Sequence, residues 1–161
     1  MDGTPSRQAA HGSGPSSYDA THDTMQANPP SNANASPVRV FLVEDSPKIR
    51  ERLVEGITMA GKVEVVGCAD TEAGAQNSLA KLDCDVVVLD LDLKQGNGLR
   101  VLEWLRAAPS RRRPVIIMFT NYVMPHYRNQ SLRLGADFFF DKARDFDRVL
   151  EVIQGVTPPE A

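Results

Sequence analysis

From Pro37 onward the chain alternates short apolar runs with longer stretches in which apolar residues recur every three or four positions. The runs at 38–43, 63–68, 85–89, 115–119 and 138–140 predict five strands. Between them the helical period shows. Ile49, Leu53 and Ile57 repeat every four residues behind Ser46-Pro47, where a serine caps a helix and proline suits its first position. Leu99, Leu102 and Leu105 line a face of a third helix that follows an Asn97-Gly98 turn, and Val149, Val152, Ile153 and Val156 give the buried stripe of a last one. Weaker stripes predict a second helix over 71–82, flanked by Asp70 and Thr71, and a fourth over 125–134.

A run such as Val86-Val87-Val88-Leu89 is apolar at every position, so the strand is buried on both faces, as parallel sheets covered by helices require. Five strand-helix units of this kind predict an α/β fold with a doubly wound parallel sheet. Ligands of such sheets lie outside the carboxyl ends of the strands, where strand order reverses. The residues that matter are therefore those just after each strand.

Composition narrows the function. Eighteen Lys and Arg against 21 Asp and Glu give a net charge of -3, and the basic residues are scattered, so no phosphate-neutralising footprint exists and direct nucleic-acid binding is not expected. No apolar run approaches the ~20 residues of a membrane helix, and no leader of charged then apolar residues opens the chain. A protein with no membrane contact, located in the cytoplasm, is expected. Residues 1–36 hold no Leu, Ile, Val, Phe or Trp and are rich in Pro, Ser, Gly, Asn and Ala, which predicts a disordered tail ahead of a domain spanning 37–157. His11 and His22 are isolated within that tail. Cys68 and Cys84 lack metal-ligand spacing and are expected as reduced thiols packed in the structure.

The strand exits carry Glu44-Asp45, Asp70, Asp90 with Asp92, Thr120-Asn121 and Asp141-Lys142. If strands one, three, four and five are neighbours, these groups converge. Carboxylates held close together either take up protons or share a divalent cation, and an oxygen-only donor set favours Mg²⁺ or Mn²⁺ over zinc. A cation, a Thr hydroxyl and a Lys ammonium around a carboxylate suit phosphoryl transfer. Lys142 would neutralise the equatorial oxygens, Thr120 would donate a hydrogen bond, and Asp90 could attack phosphorus to form an acyl phosphate.

The segments VFLVED (40–45), VVVLDLDLKQGNGL (86–99), MFTN (118–121) and GADFFFDK (135–142) resemble the receiver domain of two-component response regulators. The resemblance covers 38–156 and implies a flavodoxin-like sheet of order 2-1-3-4-5 with five helices. It implies that Asp90 accepts a phosphoryl group from a sensor histidine kinase or phosphotransfer protein, with Mg²⁺ held by Asp45 directly, Glu44 through water, Asp90, and the backbone carbonyl of Asp92. Thr120 and Lys142 would act with Asp90 on the phosphoryl group. Thr120 and Phe139 would be the switch pair, Phe139 swinging inward afterwards to change the surface built by the fourth helix, fifth strand and fifth helix. Output is then expected through a downstream protein target, since only 157–161 follow the last helix and leave no room for an output domain. Ala143 stands where the family usually has a cis proline, Asn121 where a small residue is frequent, and Lys94-Gln95 where Pro-Gly is frequent. Asp92 and Tyr122 occupy positions that tune acyl-phosphate lifetime in the family.

Blander and rival readings stand beside this one. Phe138 and Phe140 suit plain strand packing, the Arg111-Arg112-Arg113 run a solvated loop, and Trp104, Met25 and Met124 packing or exposure. A degenerate receiver acting as a scaffold would use the same fold without phosphate. A haloacid dehalogenase-type phosphohydrolase shares an apolar strand followed by Asp-x-Asp. That motif, however, normally opens its domain, carries Thr or Val where Lys94 stands, and has its acidic metal pair late rather than at Glu44-Asp45. Beyond accepting and losing its own phosphoryl group, the protein is not expected to be an enzyme.

Overall fold

The computed structural model describes residues 36–108 and 113–158. The expected disordered tail, His11, His22, Met25, Arg111 and Arg112 lie outside them. Five strands, β1 (Val38–Val43), β2 (Val63–Ala69), β3 (Val86–Leu89), β4 (Val115–Thr120) and β5 (Phe138–Asp141), form one parallel sheet in the order β2-β1-β3-β4-β5. Helices α1 (Pro47–Met59), α2 (Glu72–Leu79), α3 (Gly98–Ala107), α4 (Pro125–Arg133) and α5 (Phe146–Gly155) follow the strands in turn. The expected α/β architecture and strand order are those observed.

Alternation along each strand divides the core in two. Phe41, Val43, Val87, Leu89, Ile116, Met118 and Phe139 point to one face, where Ala75 and Leu79 of α2 and Val101 and Leu102 of α3 cover them. Val40, Leu42, Val86, Val88, Ile117 and Phe119 point to the other, beneath Leu53 and Ile57 of α1 and Val149 and Ile153 of α5. Each fully buried large apolar side chain contributes about 1.5–3 kcal/mol. β1 and β2 slip register between Val40 and Phe41, where Val66 is passed over. Gly67 sits opposite because a Cβ there would stand 2.7 Å from the Phe41 ring.

The helix starts follow local rules. Ser46 accepts from the Ile49 N–H at 3.4 Å with Pro47 behind it, Thr71 accepts from Gly74 at 3.0 Å, and Asn97 accepts from Leu99 at 2.7 Å. Several expectations need correction. α2 stops at Leu79 rather than reaching residue 82. The buried face of α3 is Gly98, Val101 and Leu102, with Leu99 and Leu105 only half-buried, because the helix meets the sheet one position round from the leucine stripe. Val156 caps α5 from outside the helix. Cys84 is buried, but Cys68 is exposed, since β2 is an edge strand whose outer side lacks full cover. Phe138 on the opposite edge strand is 38 % exposed and stacks on Phe140 at 5.8 Å. α4 is the most weakly anchored helix, with Ser131 as its only buried residue and no side-chain N-cap bond. No helix among the described residues is long and apolar enough to cross a membrane.

Candidate functional site

Strand order reverses between β1 and β3, and the exits of β1, β3, β4 and β5 meet at the carboxyl rim of the sheet. The ladder continues one rung past the strands. Glu44 N–H donates to the Ala69 carbonyl (2.9 Å), Asp90 N–H to Val43 (3.0 Å) and Lys142 N–H to Thr120 (3.0 Å). These bonds fix the backbones from which the site's side chains project.

Glu44, Asp90, Thr120 and Lys142 are all buried. The Lys142 ammonium lies 2.6 Å from both Glu44 Oε2 and Asp90 Oδ2. Asp90 Oδ1 accepts from the Asp92 N–H at 3.3 Å, and the Thr120 hydroxyl, close enough to favour the charged form of Asp90, accepts from the Tyr122 N–H at 3.1 Å. Glu44 Oε1 accepts from the Ser46 N–H at 3.0 Å. Asp45, half-buried, completes a group of three carboxylates, each offering one oxygen within 4.8 Å of the others.

Burial shapes the protonation of these groups. Desolvation pushes the Asp90 and Glu44 carboxyls above their ordinary values, against the hydrogen bonds each accepts from Lys142. For Lys142, burial disfavours the ammonium, but the bonds to Asp90 and Glu44 prevail and hold its pKa above the ordinary lysine value. One cation thus serves two carboxylates, leaving the cluster short of positive charge. The donors are all oxygen, with no histidine or thiol among them, which fits a hard divalent cation such as Mg²⁺.

The residues expected from sequence fall in two shells. Glu44, Asp45, Asp90, Thr120 and Lys142 gather at one point. The Asp92 side chain points elsewhere, its Oδ2 accepting from the exposed Tyr122 hydroxyl at 3.3 Å. Phe139, expected to turn inward only after phosphorylation, is already packed in the α2–α3 side of the core, with the Arg128 guanidinium 5.9 Å from its ring centre. The loop after Lys142 is held without proline. Ala143 N–H donates to Asp141 Oδ1 at 2.8 Å, a bond proline lacks the hydrogen to make, and Asp141 N–H donates to Asp145 Oδ2 at 2.9 Å.

Sequence reasoning missed the supports. Glu72 of α2 clamps the loop between β3 and α3, its N–H donating to Gln95 O and its Oε2 accepting from Asn97 N–H, both at 3.0 Å. Gly96 adopts a positive φ of 84° there, pressed against Glu72. Asn97 bridges back to Asp92. Arg106 ties α3 to the starts of β4 and β5 through Pro114 O, Gly135 O and Asp137. A carboxylate 25 residues from its partner leaves no local signal, although the lone acidic residue in the first turn of α2 could have drawn notice.

Residues 40–154 match the family model described as response regulator receiver domain. Among curated proteins, the chain is 31% identical over 113 residues to a protein-glutamate methylesterase/protein-glutamine glutaminase of Gluconobacter oxydans, covering 68% of this chain and 31% of that protein. It is 33% identical over 120 residues to one of Xanthomonas oryzae pv. oryzae, covering 72% and 32%. The chain thus spans about a third of the length of these relatives. Among solved structures it resembles the signal receiver domain of the putative response regulator NarL of Mycobacterium tuberculosis (TM-score 0.65, 27% identity, 75% of this chain and 99% of that one). The response regulator domain of Thermotoga maritima CheB is similar in fold (TM-score 0.64, 24% identity, 76% and 99%).

Proposed function

This chain belongs to the response regulator receiver domain family, and from that membership we propose that it is a phosphorylatable signalling switch with Asp90 as the acceptor. The observation that carries the reading is the Lys142 ammonium, seated 2.6 Å from both Glu44 and Asp90 beside a third carboxylate and a buried Thr hydroxyl. An Asp90 carboxylate oxygen attacks phosphorus, the bond from phosphorus to the donor's histidine nitrogen breaks, and that nitrogen keeps the electron pair. Lys142 then turns from the Asp90 carboxylate to a phosphoryl oxygen, and Thr120 donates to another. Asp45, Glu44, Asp90 and the Asp92 carbonyl would hold Mg²⁺, which when bound offsets charge on the transferred group. The donor is a sensor histidine kinase or phosphotransfer protein in the cytoplasm, and output runs through a downstream protein whose binding depends on the charge at Asp90.

Incubation with acetyl phosphate and Mg²⁺ followed by intact-mass measurement tests the reading. The wild type should gain one adduct of about 80 Da, the mass of a phosphoryl group, and Asp90→Asn none. An unlabelled wild type would make the protein a scaffold, and an adduct on Asp90→Asn would move the acceptor elsewhere.

A further inference from the structure

Beside the acceptor site lies a cavity of about 240 Å³ lined by Leu91, Asp92, Asn97, Leu99, Tyr122 and Tyr127. Tyr122 and Tyr127 stand with their rings 6.0 Å apart and 75° between their planes, giving two walls nearly at right angles. Leu91 and Leu99 supply apolar lining, and the exposed Asp92 carboxylate lies at the same opening. Among the described residues no Lys or Arg pairs with Asp92; its side-chain partner is the Tyr122 hydroxyl. An edge-to-face tyrosine pair, its Tyr127 ring backed by His126 at 4.0 Å, and a carboxylate beside an apolar base are the elements of a cation receptor.

We infer that this cavity receives an arginine side chain of a partner protein docked over Asp90. A guanidinium is planar, weakly hydrated and forked, so it stacks on a tyrosine face while pairing with a carboxylate, which the compact, strongly hydrated lysine ammonium does less well. Local charge favours the same guest, since among the described residues the Asp92 carboxylate at the opening has no cationic partner and the Lys142 ammonium is taken up by Glu44 and Asp90. Position identifies the partner as the phosphodonor. Asp92 N–H donates to Asp90, so a protein that brings a phosphoryl group to Asp90 covers the mouth of this cavity. The chemistry of the cavity stands by itself, and the identity of the partner rests on the function proposed above.

Titration of the full chain, monitored by backbone amide NMR at saturating Mg²⁺, tests the inference with N-acetyl-arginine methylamide and its neutral isostere, the citrulline derivative. The arginine compound should shift the amides of Leu99, Tyr122 and Tyr127 with a millimolar dissociation constant, the citrulline compound binding about fivefold more weakly. Asp92→Asn, checked as folded from the same spectra, should remove most of that difference. Equal binding of the two compounds, or shifts confined to Ser46 and Asp90 and suppressed by Mg²⁺, would overturn it, the latter placing the guest on the metal carboxylates. An arginine-selective cavity in a protein that acetyl phosphate fails to label would refute the acceptor reading and leave the receptor standing.

Discussion

The Lys142 ammonium keeps two buried carboxylates from facing each other unscreened, and removing it should expose that conflict. Breaking a buried ion pair from one side costs about 3–5 kcal/mol because the remaining charge stays uncompensated. Lys142→Met should therefore lower stability by about 3 kcal/mol at pH 7, read from urea midpoints, and by less as the pH is lowered and Glu44 or Asp90 takes up a proton. The sign in the unsubstituted protein follows from the same groups. Glu44 and Asp90 titrate above their ordinary 4.5 and 3.8, so between those values and the raised ones the folded state binds more protons than the unfolded chain. Their contribution to stability falls as pH rises through that window. The Lys142 contribution is complete below its ordinary 10.5 and is lost only as pH climbs through its higher folded value. A stability loss on Lys142→Met that stays the same as the pH is lowered from 7 would contradict this account. These charged residues were legible because each stands directly behind an apolar run. The Tyr122 to Asp92 bond and the Glu72 clamp were not, because the first joins side chains from two separate loops and the second ties the start of α2 to the backbone of the loop before α3.

The loop from Asp90 to Gly98 joins acceptor strand to helix with almost no spare room. Gly98 N–H donates to Leu91 O at 2.9 Å, and a Cβ on Gly98 would stand 1.9 Å from the Asp90 carbonyl oxygen. Gly98→Ala must move either α3 or the backbone that aims Asp90, since both contacting groups are main chain. It should cost about 3 kcal/mol or more by chemical denaturation and slow labelling by acetyl phosphate, whereas Gly61→Ala, with nothing within 4 Å, serves as a comparison limited to backbone strain. Wild-type labelling by Gly98→Ala would show the contact to be soft. The Asn97-Gly98 pair reads as a turn in sequence, and its role as helix cap and close-approach point is a tertiary fact. The leucine stripe of α3 was similarly visible, yet Val101 is buried where Leu99 and Leu105 are not, because docking angle decides which flank of a stripe meets the sheet.

Across the molecule, the rim gathers the three carboxylates of Glu44, Asp45 and Asp90, two of them paired with the Lys142 ammonium, and the function proposed above has a divalent cation offset the remaining negative charge. A ligand bound only by the folded state stabilises it in proportion to the logarithm of its concentration, about 2.7 kcal/mol at a hundred times the dissociation constant. Mg²⁺ should thus raise the thermal midpoint in a saturable manner, EDTA should reverse the gain, and Asp90→Asn should reduce it severalfold. A midpoint indifferent to Mg²⁺ would remove the metal from the mechanism.

Apolar period, with the capping and turn residues at Ser46-Pro47 and Asn97-Gly98, pointed to the five strands, the helices between them and a sheet covered on both sides, because a strand that is apolar at every position has no face to give to water. Residue type at the strand exits determined which oxygens and which ammonium could meet. Tertiary structure alone decided that Phe139 already lies inward, that Cys68 is exposed on an edge, that Asp92 turns toward Tyr122, and that Glu72 and Arg106 brace the loops. Those outcomes depend on which surfaces are brought together by the order β2-β1-β3-β4-β5 and the docking of each helix, and contacts between distant residues leave no periodic trace in the chain.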